Sequence, residues 1–131
     1  SQMKDETFTV YGSDYLTPDG TCIRDYVHVN DIARAHVMGA AWLTENPGFW
    51  AYNIGSGTGY SVLEVLKTVE MQSQKPVSTA FGPRRPGDPA YTLADTTMIK
   101  RDLGWQPVKN LRTIVSDALS WYNSDAYKAL V

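Results

Sequence analysis

The chain has 131 residues, a net charge of −2 and 20% charged side chains, which fits one α/β domain over residues 1–131 of ordinary globular composition. Such a balance offers no general basic face for nucleic acid or for an acidic membrane surface. No apolar run approaches the roughly 20 residues of a membrane helix, and the lone Cys22, with no leader sequence in view, sets the expectation of a reducing, cytoplasmic setting. The chain opens on Ser1 with Met3 close behind, which suits either a tag remnant or the edge of a fragment.

Phe8 to Tyr11 alternates β-branched and aromatic residues and predicts a short strand, and Pro18-Asp19-Gly20 predicts a tight turn. Cys22 to Val29 alternates again, with Ile23, Asp25, Val27 and Val29 on one face and Cys22, Arg24, Tyr26 and His28 on the other. Asn30 or Asp31 is expected to cap a helix running to about Thr44, ended by Asn46-Pro47-Gly48. A strand is expected over Trp50 to Ile54, followed by the glycine-rich Gly55-Ser56-Gly57-Thr58-Gly59. Ser61 and Glu64 form a capping-box pattern ahead of a helix that closes at Lys75-Pro76. Val77 to Phe81 and Tyr91 to Ala94 are expected as strands. Asp95 is expected to cap a short helix stopped by Gly104, and Asn110 to cap an amphipathic one. With helices following strands, the fold class is mixed α/β.

Several residues carry chemistry. The glycine-rich loop has G-x-G-x-G spacing, not the G-x-G-x-x-G of a dinucleotide site, so a tight turn feeding a capped helix accounts for its glycines. Arg84 and Arg85 sit in a loop stiffened by Pro83, Pro86 and Pro89, with Asp88 close behind. Two readings stand for it: a solvated arginine pair with Asp88 as partner, or a guanidinium fork for a phosphate with Asp88 accepting from sugar hydroxyls. Arg24 is either paired internally, with Asp25 or Asp31, or aimed at an anion. His28 reads as a hydrogen-bonded structural residue. With His36 it is one of only two histidines, and no cysteine cluster accompanies them, so no metal site is expected. Cys22 has no neighbouring base in sequence and is not read as a nucleophile.

The runs "VYGSDYLTPDGTCIRDYVHVNDIARAHV", "YNIGSGTGYSVLEV", "FGPRRPGDPAYTLAD" and "DLGWQP" closely resemble UDP-glucose 4-epimerases, extended short-chain dehydrogenase/reductases, in the family's order and spacing. The resemblance covers about Phe8 to Tyr122 and implies the C-terminal, substrate-binding part of such an enzyme, the NAD-binding Rossmann domain being absent. In the family NAD takes a hydride from C4 of the sugar and returns it to the other face, using a Tyr-x-x-x-Lys pair. No tyrosine here has a lysine four positions on. The resemblance implies Arg24 and Arg85 as diphosphate ligands, Asp88 as ribose-hydroxyl acceptor, and Tyr26 and Val62 as lining residues. The aromatic after "RPGD" falls at Tyr91, one position before its usual place, where Thr92 stands.

The implied function is the UDP-sugar-binding portion of an NAD-dependent 4-epimerase, inactive alone, with no catalytic or cofactor-binding residue of its own. The alternatives are a proteolytic fragment of an intact epimerase, or a non-enzymatic remnant serving as an oligomeric or interaction module. The implied partners are a UDP-sugar, a Rossmann half or further copies of the chain, since without that half an apolar surface would be left bare.

Overall fold

The computed structural model describes residues 7–130. The element order is β1 (Phe8–Tyr11), β2 (Ile23–Asp25), α1 (Val29–Glu45), β3 (Gly59–Ser61), α2 (Val62–Ser73), β4 (Thr79–Gly82), β5 (Tyr91–Thr92), α3 (Thr97–Leu103), α4 (Leu111–Tyr122) and α5 (Asp125–Lys128). Two small sheets result. β1 and β4 pair in parallel with Phe8 opposite Thr79, and β2 lies between antiparallel β3 and parallel β5.

Local chemistry accounts for most boundaries. Ser61 Oγ accepts from Glu64 N at 3.0 Å while Glu64 Oε2 accepts from Ser61 N at 2.7 Å, so the capping box starts α2 as expected. Asn110 caps α4 through Thr113 N, and Gly104, at φ 68°, ends α3. Asp95 does accept from Thr97 N, but it lies one position before the α3 cap, Thr96.

The cap of α1 differs from expectation. His28 holds that position, its Nδ1 accepting from Asn30 N at 3.0 Å. The strand expected over Cys22 to Val29 therefore stops at Asp25, because the backbone turns toward the helix three residues later. Trp50 to Ile54 is not a strand either: the segment is free of helix and turn, yet no neighbouring strand is there to pair with it among the described residues.

The hydrophobic core centres on Ala35, Ile99 and Trp105, with Val27, Met38, Tyr52, Ile54 and Leu103 packed against it. Trp105 is 1% exposed and donates its indole N–H to Asp31 O at 2.9 Å, so truncation to alanine would cost roughly 3–5 kcal/mol. The buried Asp31 carboxylate accepts from Val108 N, Lys109 N and Arg34 Nη2, which ties the start of α1 to the segment ahead of α4. α2 packs on α4 to complete the helical side.

Candidate functional site

The run Arg85-Pro86-Gly87-Asp88 is a tight turn, Asp88 N donating to Arg85 O at 3.2 Å. Proline at its second position and Gly87 at φ 86° in its third are the requirements of a type II turn. The turn brings Arg85 and Asp88 together at its two ends and holds them with little left to freeze. Arg85 stacks its guanidinium on the Tyr11 ring, 4.0 Å from the centroid, and has no hydrogen-bond acceptor among the described residues. Its neighbour Arg84 is occupied otherwise, stacking on Tyr15 at 4.2 Å and pairing with Asp14 at 2.7 Å. The two adjacent arginines thus divide, one to the scaffold and one to open space.

Arg24, at the centre of β2, pairs with neither Asp25 nor Asp31. Its Nη1 donates to the carbonyls of Ile23 and Pro89, each at 2.9 Å, and its Nη2 lies 4.0 Å from Asp88 Oδ1. Neutral carbonyls orient a guanidinium without cancelling its charge, and 4.0 Å is beyond hydrogen-bond contact. Arg24 and Asp88 thus form a long ion pair, and with Arg85 on the same cavity two guanidinium groups face one carboxylate.

Arg24, Val62, Arg85 and Asp88 line one cavity of about 280 Å³ with Phe8, Thr9, Val10, Tyr11 and Cys22. Four segments far apart in sequence meet there. The β1 wall is the part that sequence reasoning missed; only the nearness of β1 to β4, a non-local pairing, reveals it. Tyr26 is not brought to this cavity. It lines a separate one of about 290 Å³ with Ser56, Thr58, Tyr60 and Lys109, and burial pushes its hydroxyl pKa up. Tyr91 turns away from the cavity, its hydroxyl donating to Leu16 O at 3.4 Å.

The glycine-rich loop wraps an internal carboxylate. Asp25 Oδ1 accepts from Ser56 N at 2.6 Å and Ser56 Oγ at 2.5 Å, and Oδ2 accepts from Gly57 N and Ala94 N at 3.1 Å each. Burial works to raise the Asp25 pKa, but these donors outweigh it and hold it below the usual carboxylate value. A Cβ on Gly55 would stand 2.4 Å from Asp25 Oδ2, which is why that position is glycine. The loop amides thus already serve a carboxylate, and a second anion there would be repelled. These residues do not fit the pyrophosphate of NAD.

Two further polar groups fix the site's frame. Asp19 accepts from Thr21 N, Thr21 Oγ1 and Ser61 Oγ, joining the turn before β2 to the cap of α2. Its pKa is likewise lowered, burial opposing and the Ser61 and Thr21 bonds prevailing. His28, 5% exposed, accepts at Nδ1, so its proton lies on Nε2 and is donated to Asp117 at 3.1 Å. That is the structural role expected of it. Among the described residues no His, Cys, Asp or Glu cluster could hold a metal ion, and no helix is long and apolar enough to cross a membrane.

The fold is a small α/β domain with parallel strand pairs, and one of its cavities is lined by two arginines and a carboxylate. A family model described as GDP-mannose 4,6 dehydratase matches residues 3–118, and the chain belongs to that family of NAD-dependent epimerases and dehydratases, as a homologue of its UDP-glucose 4-epimerases. It is 45% identical over 120 residues to the UDP-glucose 4-epimerase of Bacillus subtilis, covering 92% of this chain and 35% of that one. The Stenotrophomonas maltophila UDP-glucose 4-epimerase, solved with NAD and formylated UDP-arabinopyranose, superposes with a TM-score of 0.88 at 36% identity, over 95% of this chain and 37% of that one. The Bifidobacterium longum enzyme, solved with NAD⁺ and UDP, gives 0.81 at 40% identity over 92% and 36%. The chain therefore spans about a third of the length of the relatives it matches.

Proposed function

We propose that this chain is the C-terminal, UDP-sugar-binding portion of a UDP-glucose 4-epimerase, gripping the nucleotide handle while the hydride chemistry belongs to a part of the relatives that it does not span. Arg24 and Arg85 bind the diphosphate, Asp88 accepts from the ribose hydroxyls, and Val62 packs against the nucleotide. Tyr26, which lines a separate cavity, is left out of this grip. The single observation behind this reading is the convergence of Arg24, Val62, Arg85 and Asp88 on one cavity. A volume of about 280 Å³ lies under the roughly 300–1,000 Å³ of pockets that enclose a whole small ligand, as suits a grip on one end of a longer one.

With the glycine loop committed to Asp25 and no Tyr-x-x-x-Lys pair, the chain alone has no means of epimerising a sugar. Its own contribution is binding and orientation. Calorimetric titration with UDP, with uridine as the control lacking phosphates, tests the reading. UDP is expected to bind and uridine to bind far more weakly. Arg85→Ala is expected to weaken UDP roughly 10-fold or more, the loss of one charge-assisted anchor. Absence of heat with UDP, under conditions where an intact relative binds it, overturns the proposal. Epimerase activity is expected only when a complementary NAD-binding portion is supplied.

A further inference from the structure

The loop that carries Arg85 and Asp88 is fixed at both ends. Gly82 closes β4 against β1, its carbonyl accepting from Gly12 N at 2.9 Å, and Ala90 O accepts from Ile23 N at 2.8 Å. Among the described residues, the hydrogen bonds that tie the span between, residues 83–88, to another segment are made by Arg84 alone. Its Nε donates to Asp14 Oδ1 at 2.7 Å and its Nη2 to Asp14 O. Its guanidinium lies over the ring of Tyr15, which is 6% exposed. A Cβ on Gly12, at φ 82°, would stand 2.4 Å from the Tyr15 ring and 2.9 Å from Arg84 Cγ, so the backbone there is kept clear for this seat.

The seat is a loop that braces itself. Tyr15 N donates to Gly20 O at 2.9 Å, Thr17 Oγ1 donates to Thr21 O at 2.7 Å, and Asp19 accepts from Thr21 and Ser61. Arg85 has only the face of Tyr11 to rest on. Pro86 after it restricts its backbone to extended conformations, in which neighbouring side chains point opposite ways. Seating Arg84 toward residues 12–20 therefore turns Arg85 the other way, and it is Arg85 that lines the cavity while Arg84 does not.

We infer that Arg84 is a positioning residue for the nucleotide grip, holding the Arg85-Pro86-Gly87-Asp88 turn in place from outside the cavity. The inference rests on the nucleotide reading of Arg85 and Asp88. A guanidinium already oriented when the ligand arrives loses less freedom on binding, and the gain in affinity takes that form. Charge alone makes the contrary prediction for Asp14. It is an anion, so by Coulomb attraction its removal would strengthen the pull on a diphosphate. Removal of the Arg84 seat weakens it.

Calorimetric titration with UDP separates the two. Arg84→Met, which keeps the stem and removes the fork, is expected to weaken binding roughly 3- to 10-fold. Arg84→Lys, with the charge but not the planar fork, is expected to recover little of that. Asp14→Ala is expected to weaken binding roughly 2- to 3-fold, since the bond to Asp14 O and the Tyr15 stack remain. In an Arg85→Ala background Arg84→Met should cost less than about 2-fold, because the group it positions is gone. Asp14 and Arg84 are both exposed, so circular dichroism and urea midpoints should stay close to the wild type. Tighter binding by Asp14→Ala, wild-type affinity in Arg84→Met, full recovery by Arg84→Lys, or an undiminished effect in the Arg85→Ala background overturns the inference and leaves the nucleotide reading standing. A wild-type chain that binds no UDP overturns both.

Discussion

Replacing Asp25 by Asn tests whether the glycine-rich loop is organised from within. Asparagine preserves the shape but has a single acceptor oxygen, whereas Asp25 accepts four hydrogen bonds, two on each oxygen. With its oxygen toward Ser56, the new amide confronts the N–H groups of Gly57 and Ala94. Reversed, it confronts Ser56 instead. Two charge-assisted bonds are lost either way, at the low end of about 1.5 kcal/mol each because the site is only partly buried, or roughly 3 kcal/mol in all. At an m-value of about 2 kcal/mol/M the urea midpoint would fall by about 1.5 M. A midpoint within about 0.3 M of wild type would refute the account. A second measurement separates the loop from the carboxylate. Gly55→Ala drives its Cβ to 2.4 Å from Asp25 Oδ2 and 2.6 Å from the Ala94 Cβ, an overpacking cost of roughly 1–3 kcal/mol. Combined with Asp25→Ala, only the Ala94 clash remains, so the two changes should be less than additive by about 1 kcal/mol.

Asp19 and Asp25 both have pKa values lowered from 3.8, so their contribution to stability is fully present above that value and is lost as pH falls through the lower folded values. Urea midpoints should hold down to about pH 4 and then drop, and Asp25→Asn should show a shallower acid limb. His28→Ala removes the α1 cap and the bond to Asp117 and should cost about 2 kcal/mol by thermal unfolding, with His28→Asn recovering about half by restoring the cap. Tyr11→Leu takes away the ring beneath Arg85 and should weaken UDP binding roughly 2- to 5-fold by calorimetry, with the fold retained. Asp88→Asn should leave the urea midpoint within about 0.5 kcal/mol of wild type yet weaken nucleotides that carry ribose hydroxyls, while binding of inorganic pyrophosphate is spared.

What the sequence made legible was local. The capping box at Ser61 and Glu64, the Asn110 cap and the Gly104 stop depend on residues within one turn of each other, and all three stand as read. The misplaced α1 cap is instructive, because Asn30 and Asp31 are the better cap formers by type. His28 takes the role since Asp117, 89 positions away, fixes its ring, and Asp31 is drawn to Val108 and Lys109. The strand expected at Trp50 to Ile54 is not one, although its side chains alternate between the apolar groove and solvent. A strand also needs a neighbour, and pattern alone cannot supply one. The residues of the proposed nucleotide site were legible one by one through the resemblance, but the wall from Phe8 to Tyr11 emerges only once β1 is set beside β4.

The carboxylates themselves separate scaffold from site. Asp19, Asp25 and Asp31 each accept several hydrogen bonds from backbone or hydroxyl donors, and each joins segments distant in sequence. Asp14 is held by Arg84. Asp88 is the exception beside the cavity: its side chain has no hydrogen-bond donor among the described residues, and the nearest cation, Arg24, stops at 4.0 Å. The same division runs through the cations, Arg34 and Arg84 being paired while Arg85 rests only on a ring face. A folded chain gains little by leaving a carboxylate and a guanidinium unsaturated side by side when a small rotation would pair them. Their separation has a physical rationale if a third party completes both, donating hydroxyls to Asp88 and presenting anionic oxygens to Arg24 and Arg85. A ribose joined to a diphosphate has both groups, at adjacent positions of one molecule.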